Sequence, residues 1–405
     1  VRLKLSERKA VTKELKKKYK SSSKRQKGEI LDWLVEVSGY NRNYAARLLR
    51  GKVKSTYVYK SSKEKPGPNK RYDEDVFLAL RKIWFMEGCI CGKRLAPFLE
   101  ELVPVLKRYG EIDVTDEVEK KLVDISPATV DRLLKPVKKS LNFTGSSSTK
   151  PGTLLKSEIP IKTFSEWDDT VPGYVEIDLV AHNGGDPNGE FAYTLDVTDV
   201  ATGWTVTKAV KNKARVWVFR ALEKICEKLP FEVLGIDSDN GSEFINHHLS
   251  NYCQENEITF TRSRPYRKND NCYVEQKNWS VVRKVVGYYR HDTDQERIII
   301  NKIYKVLRPY TNYFQPSMKL VEKTREGAKV TKTYDKAKTP YRRLLDDGSI
   351  SQSSEDRLKE EYDSLNPARL NREIESLRKE LYQVYRRKGN ETVEENENDL
   401  EYILL

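Results

Sequence analysis

The sequence predicts an α/β layer fold on a mixed five-stranded sheet, preceded by all-α segments and followed by a mostly helical region. Three observations carry this expectation. Apolar residues recur at helical spacing up to about residue 140; from Tyr174 onward short β-rich runs take over; and Thr144-Gly-Ser-Ser-Ser-Thr-Lys-Pro-Gly152 separates the two regimes.

Residues 1–60 form a basic arm and a first helical pair. Helical character is expected around Glu7–Lys18, ending at Ser21-Ser22-Ser23. Ile30, Leu31, Leu34 and Val37 then have helical spacing, Ser38-Gly39-Tyr40 breaks it, and Asn41 caps a second helix with Tyr44, Ala45, Leu48 and Leu49 inward. Two short helices joined by a glycine-containing turn fit a helix-turn-helix. Arg42, Asn43, Arg47 and Arg50 fall on its outer face, where Arg and Asn suit phosphate and base-edge contacts.

Residues 61–72 read as a linker, because Lys65-Pro66-Gly67-Pro68 forbids a regular element. Residues 73–140 are a second helical region, with Val76, Leu80, Ile83 and Trp84 on one face and an amphipathic stretch from Leu95 to Leu106. Ser126-Pro127 is a capped helix start. Val130, Leu133 and Leu134 follow inward and Thr129, Arg132 and Lys135 outward, a second helix-turn-helix pattern.

Residues 141–165 are a linker, and 166–292 carry the sheet. Strands are expected at 174–180, 191–197, 204–210, 232–237 and 259–263, with helices at 214–228, 246–256 and 274–289. Three meandering strands followed by alternating helices and strands make a mixed sheet. Residues 293–350 are a basic region with a helix over 295–307 that Arg308-Pro309-Tyr310 should end. Residues 351–388 are helical, and Leu370, Ile374, Leu377, Leu381 and Val384 have heptad spacing too short for a coiled coil, which favours docking on the same chain. Residues 389–405 are an acidic tail.

Composition narrows the function. The formal net charge is +13, and residues 1–72 hold 22 Lys or Arg against 6 Asp or Glu. That asymmetry points to a polyanion, nucleic acid first. No apolar run is long enough to span a membrane, and the lysine-rich start lacks the apolar segment of a secretory signal. Five scattered cysteines (89, 91, 226, 253 and 272) read as reduced structural thiols.

The chemistry is expected at three acids. Asp178 lies in the apolar strand Val175-Glu176-Ile177-Asp178-Leu179; Asp239 follows Val233-Leu234-Gly235-Ile236 in the context Asp239-Asn-Gly-Ser-Glu-Phe244; Glu275 opens a helix after an interval of 35 residues. Asp196, Asp199, Asp237 and Glu243 have plain readings as strand-end or turn residues. In-line phosphodiester transfer builds charge on the attacking and leaving oxygens, which two hard cations held by carboxylates can stabilise together.

These three carboxylates, in this strand–strand–helix placement, resemble the Asp-Asp-Glu site of retroviral integrases and related DNA transposases. The wording Arg264-Pro-Tyr-Arg-Lys-Asn-Asp270 and Val274-Glu-Gln-Lys-Asn278 looks like transposases of bacterial insertion sequences with an integrase-type core. The resemblance covers about residues 170–290 and implies a ribonuclease H-like fold. It also implies that Asp178, Asp239 and Glu275 hold two Mg²⁺ (or Mn²⁺) ions per active site, with Asp178 bridging both. It implies further that the chain cleaves element ends and joins the 3′-hydroxyl to target DNA. Implied partners are double-stranded DNA (terminal repeats and target) and at least one further copy of the chain on DNA; the implied location is the prokaryotic cytoplasm, at the nucleoid. Two departures stand out. All four histidines follow residue 180, so the His-His-Cys-Cys domain of retroviral integrases is absent. The segment before Glu275 is basic, and Arg264, Arg267, Lys268, Lys277 and Asn278 are the expected contacts to the DNA end. A nuclease of the same fold acting on hybrids, and a non-enzymatic DNA-binding regulator, are the alternatives.

Overall fold

The computed structural model describes residues 5–51, 71–141, 171–239, 241, 243–244, 247–263, 272–326 and 328–388. It divides into two compact units, 1–70 and 71–405. The linker cores, the acidic tail and the side chains of Arg264, Arg267 and Lys268 lie outside the described residues.

The first unit has three helices, α1 (Leu5–Ser21), α2 (Lys24–Ser38) and α3 (Arg42–Leu49). Ser23 starts α2 with a reciprocal cap, its hydroxyl accepting from the Gln26 N–H while the Gln26 side chain accepts from the Ser23 N–H. Gly39, at φ 68°, ends α2 in the left-handed conformation that a side chain would strain. Asn41 then caps α3 through the Asn43 N–H. Tyr19, Leu31, Leu34, Ala45, Ala46 and Leu49 form the core. Tyr44, expected inward, is 44% exposed. The two alanines let α3 sit close, and the Tyr44 ring instead packs edge-on against Tyr40 at 5.2 Å.

The second unit opens with α4 (Glu74–Met86), α5 (Gly92–Leu95), a 3₁₀ turn at Ala96–Phe98, α6 (Leu99–Arg108), α7 (Asp116–Val123) and α8 (Pro127–Ser140). Ser126 caps α8 as its sequence predicts. The sheet follows: β1 (Tyr174–Ala181), β2 (Tyr193–Asp199), β3 (Thr205–Val210), β4 (Gly235–Ser238) and β5 (Thr259–Arg262). Its order is β3-β2-β1-β4-β5. The first three strands are antiparallel, whereas β1–β4 and β4–β5 are parallel. This is the ribonuclease H-like arrangement with β1 at the centre. Helices α9 (Arg215–Cys226) and α10 (His247–Glu255) provide the crossovers. Then α11 (Cys272–Lys277) runs into a π-helical stretch, Asn278–Arg283, and α12 (Lys284–Val286). The apolar faces of α4, α6 and α8 belong to the same interior as the sheet and α9.

Helix α13 (Asp294–Phe314) continues through Pro309, contrary to the expected stop at 308–310. Proline deletes one helical N–H. The last turn is held by packing instead: Tyr313 meets Trp204 edge-on at 5.6 Å and Tyr341 at 4.9 Å, and Phe314 stacks on Tyr362 at 5.6 Å. After a two-stranded ribbon, β6 (Leu320–Glu326) and β7 (Lys329–Tyr334), come α14 (Pro340–Asp347), α15 (Gln352–Ser364) and α16 (Pro367–Lys388). Ile374 and Leu381 of α16 are buried, and α16 docks on α13 of the same chain.

Candidate active site

A strand presents alternate residues to one face, so Glu176 and Asp178 of β1 point the same way. Their shared face is crossed by α11. The buried Glu176 carboxylate accepts hydrogen bonds from the backbone N–H groups of Tyr273 and Val274, both at 3.0 Å. It thereby satisfies donors that the first turn of α11 cannot satisfy itself, and places negative charge at the helix N-terminus. One turn later Asn278 Nδ2 donates to Asp178 Oδ2 at 2.5 Å. Strand and helix are stapled at two points with Glu275 between them.

The Leu179 N–H donates to Asp178 Oδ1 at 2.8 Å. Burial holds the Asp178 carboxyl above its ordinary range, and the charges of Glu275 and Glu243 push it further the same way. Asp239 lies one residue beyond β4, parallel neighbour of β1, and its Oδ1 accepts from the Gly241 N–H at 2.9 Å. Burial raises Asp239 to about 6, with Asp178 and Glu243 adding repulsion. Asp178, Asp239 and Glu275 thus come within one electrostatic neighbourhood, Glu275 on an exposed face of α11.

Glu243, read from the sequence as a plain turn residue, puts its charge on both aspartates. A Cβ at Gly241 would lie 2.8 Å from both Asp239 Oδ1 and Glu243 Cδ, so a side chain there would have to displace one of these carboxylates. Asp237 is buried and accepts from the Thr261 hydroxyl at 2.5 Å. Asp199 accepts from the N–H and hydroxyl of Thr202 and the N–H of Gly173, which makes it a turn-builder. Asp196 stands opposite Asp178 in the β1–β2 register, bonded to the Thr198 hydroxyl at 3.0 Å. Burial lifts Asp196 to about 8, against the pull of Lys277.

The expected DNA contacts divide. Arg42, Asn43, Arg47 and Arg50 are exposed on α3, with Arg42 ion-paired to Asp32. Arg132 and Lys135 are exposed on α8. Thr129 is buried, not outward: in the first turn of α8 its hydroxyl accepts from Ser126 at 3.0 Å and from Arg132 at 3.3 Å. Lys277 is half-buried, its pKa depressed to about 8 by burial and raised again by Asp196, so its charge serves the interior. Asn278 binds Asp178. Glu176 went unnoticed as a functional residue; its signal was an acid inside an apolar strand, two positions before Asp178.

The acids offer only oxygen donors, and their mutual repulsion is the condition a hard divalent cation relieves. Among the described residues, no three His, Cys, Asp or Glu side chains are gathered closely enough to hold a metal ion. Asp178 and Asp239 fit such an ion in chemistry, with Glu275 a further acid in the field of Asp178. No described helix is long and apolar enough to cross a membrane. Cys89, Cys91, Cys226 and Cys253 are free thiols.

Comparison with known proteins gives three results. The family described as Integrase core domain matches residues 169–268. The uncharacterized protein y4rM of Sinorhizobium fredii is 38% identical over 347 residues, which span 84% of this chain and 96% of that protein. Among solved structures, the catalytic core domain of BIV integrase is 16% identical, covering 44% of this chain and 95% of its own at a TM-score of 0.31. The HTLV-2 integrase catalytic core domain in complex with magnesium is 14% identical, covering 37% and 93% at 0.29.

Proposed function

Because the chain belongs to the family of Sinorhizobium fredii y4rM and carries an integrase catalytic core, we propose that it is a DNA transposase. In this reading it binds the ends of a mobile element, hydrolyses a strand there, and joins the freed 3′-hydroxyl to target DNA. What supports the reading is that Asp178 lies in the field of Glu275, and Asp239 in the field of Asp178, on a ribonuclease H-like sheet, with α11 fixed to β1 by Glu176 and Asn278.

Asp178, Asp239 and Glu275 would hold the divalent ions, Mg²⁺ or Mn²⁺. When bound, such ions stabilise the attacking and leaving oxygens of an in-line displacement. Glu176 sets the height of α11 over the sheet, and Asn278 fixes one Asp178 oxygen while the Leu179 N–H fixes the other. The acids are therefore oriented before substrate arrives, which is where rigid sites gain their rate. The exposed cations of α3 and α8 support contact with the DNA backbone, with the basic residues 264, 267 and 268 as further candidates. Joining two ends to one target needs two active sites, hence at least two copies on DNA.

Purified full-length protein, labelled element-end duplex and plasmid target, incubated with Mg²⁺, test this reading. Covalently joined products are expected from the wild type. Asp178→Asn, Asp239→Asn and Glu275→Gln should each reduce joining to background while holding DNA binding within about twofold. Joining retained by any one variant removes that residue from the catalytic set. Cleavage of an RNA–DNA hybrid without joining would favour the nuclease alternative.

A further inference from the structure

The helix that carries Glu275 leads into a cavity that the chemistry above does not use. It measures about 530 Å³ and lies between the Trp279–Tyr288 segment and α16. That volume is within the range of sites that take one small organic group, about 300–1,000 Å³. Of the rings that line it, Trp279 is 60% exposed and Tyr288 59% exposed, although both are large apolar surfaces. Three cations line it, Arg283, Lys284 and Arg378. Arg283 donates to the Ala181 carbonyl and lies 4.9 Å from the Tyr288 ring centre, and Lys284 donates to the Gly88 carbonyl. Among the described residues neither forms an ion pair with a carboxylate, although Lys284 feels the Glu375 charge; Arg378 is paired with Glu375. At the wall lies buried His291. Its Nδ1 is engaged by Glu296 at 2.9 Å, and its Nε2 has no hydrogen-bond partner.

Each feature restricts the ligand. Exposed aromatic faces call for a flat ring to stack on. Guanidinium and ammonium groups without an ion-pair partner call for an anion. A nucleotide has both in one unit, and Trp279 places it one helical turn from Glu275. We propose that this cavity receives an unpaired nucleotide of the DNA strand being processed, its base stacked on Trp279 and Tyr288 and its phosphate toward Arg283 and Lys284. Stacking needs an exposed base face, so a fully paired end is excluded from the cavity until it frays. The inference rests on the reading of the protein as an enzyme of DNA ends.

The test uses the full chain silenced by Asp239→Asn, with fluorescein-labelled probes read by anisotropy. One probe is a single-stranded oligonucleotide, the second a blunt duplex of the same sequence, and the third that duplex with two unpaired terminal nucleotides. Stacking on one aromatic side chain is worth about tenfold in affinity. Trp279→Ala and Tyr288→Ala should each weaken the single strand and the frayed duplex by about that factor and the blunt duplex by less than about twofold. Trp279→Phe should restore most of the loss. Equal loss on all three probes, or none on the single strand, overturns the assignment; the latter is the result if the cavity takes a protein side chain instead. Thermal melting of each variant separates lost binding from lost folding. Because binding is read in a silenced chain, it is independent of joining. Joining without stacking removes only this inference, and stacking without joining removes only the transposase reading.

Discussion

Asp239 shows how a site stores cost at single residues. A carboxyl held at about 6 when folded and near 3.9 when unfolded binds more protons in the folded chain between those values. Stability from this group is therefore fully present below pH about 4 and is lost as pH rises through about 6. At neutral pH the ionised Asp239 destabilises the fold. Asp239→Asn should raise the unfolding free energy by roughly 1–2 kcal/mol at pH 7.5, with the gain vanishing near pH 4, while joining is lost. Thermal melts of both proteins at the two pH values check this, and an equal gain at both would place its cause elsewhere. At this scale the sequence singles out the three proposed acids, because the Asp-Asn-Gly context and the interval to Glu275 are local patterns. Glu176 was not legible. Its role depends on the backbone of residues 273 and 274, nearly a hundred positions away, and no local pattern announces a helix cap supplied by a distant strand.

At the scale of elements, periodicity located nearly every strand and helix of the core, since alternation and helical spacing reflect burial directly. It failed where burial overrode a local signal. Pro309 reads as a stop, yet Tyr310, Tyr313 and Phe314 beyond it are buried and keep α13 helical. Thr129 reads as outward by spacing, yet the cap at Ser126 draws it in. The heptad of α16 has its answer in the same terms: Ile374 and Leu381 are buried against the protein's own interior. Leu381→Ala should cost about 2–4 kcal/mol in urea unfolding and leave the mass by light scattering unchanged. A shift in mass with little loss of stability would mean that α16 serves another copy.

For the whole molecule, charge was legible in amount and place, but the packing of residues 73–140 onto the interior shared with the sheet was not. Periodicity says that a face is apolar; it does not say against what. The charge asymmetry has a quantitative consequence. Each phosphate contact contributes about 0.9 to the slope of log affinity against log salt. Arg47→Ala combined with Arg50→Ala should lower the slope for duplex binding by about 1.8, with weakening nearly uniform across sequences. An unchanged slope would clear α3 of phosphate contact and leave its exposed arginines as solvated surface.

Glu176 also decides which parts of the chain are free to vary in length. The height of Glu275 over the sheet is fixed by two hydrogen bonds to a residue two positions from Asp178, not by the route the chain takes from β5 to α11. Insertions or deletions in residues 264–271 should therefore leave the alignment of strand and helix intact, because neither hydrogen bond involves those residues. The seating of α11 on β1 and the length of the segment that connects it to β5 are separate inheritances, so one can change while the other stays in register.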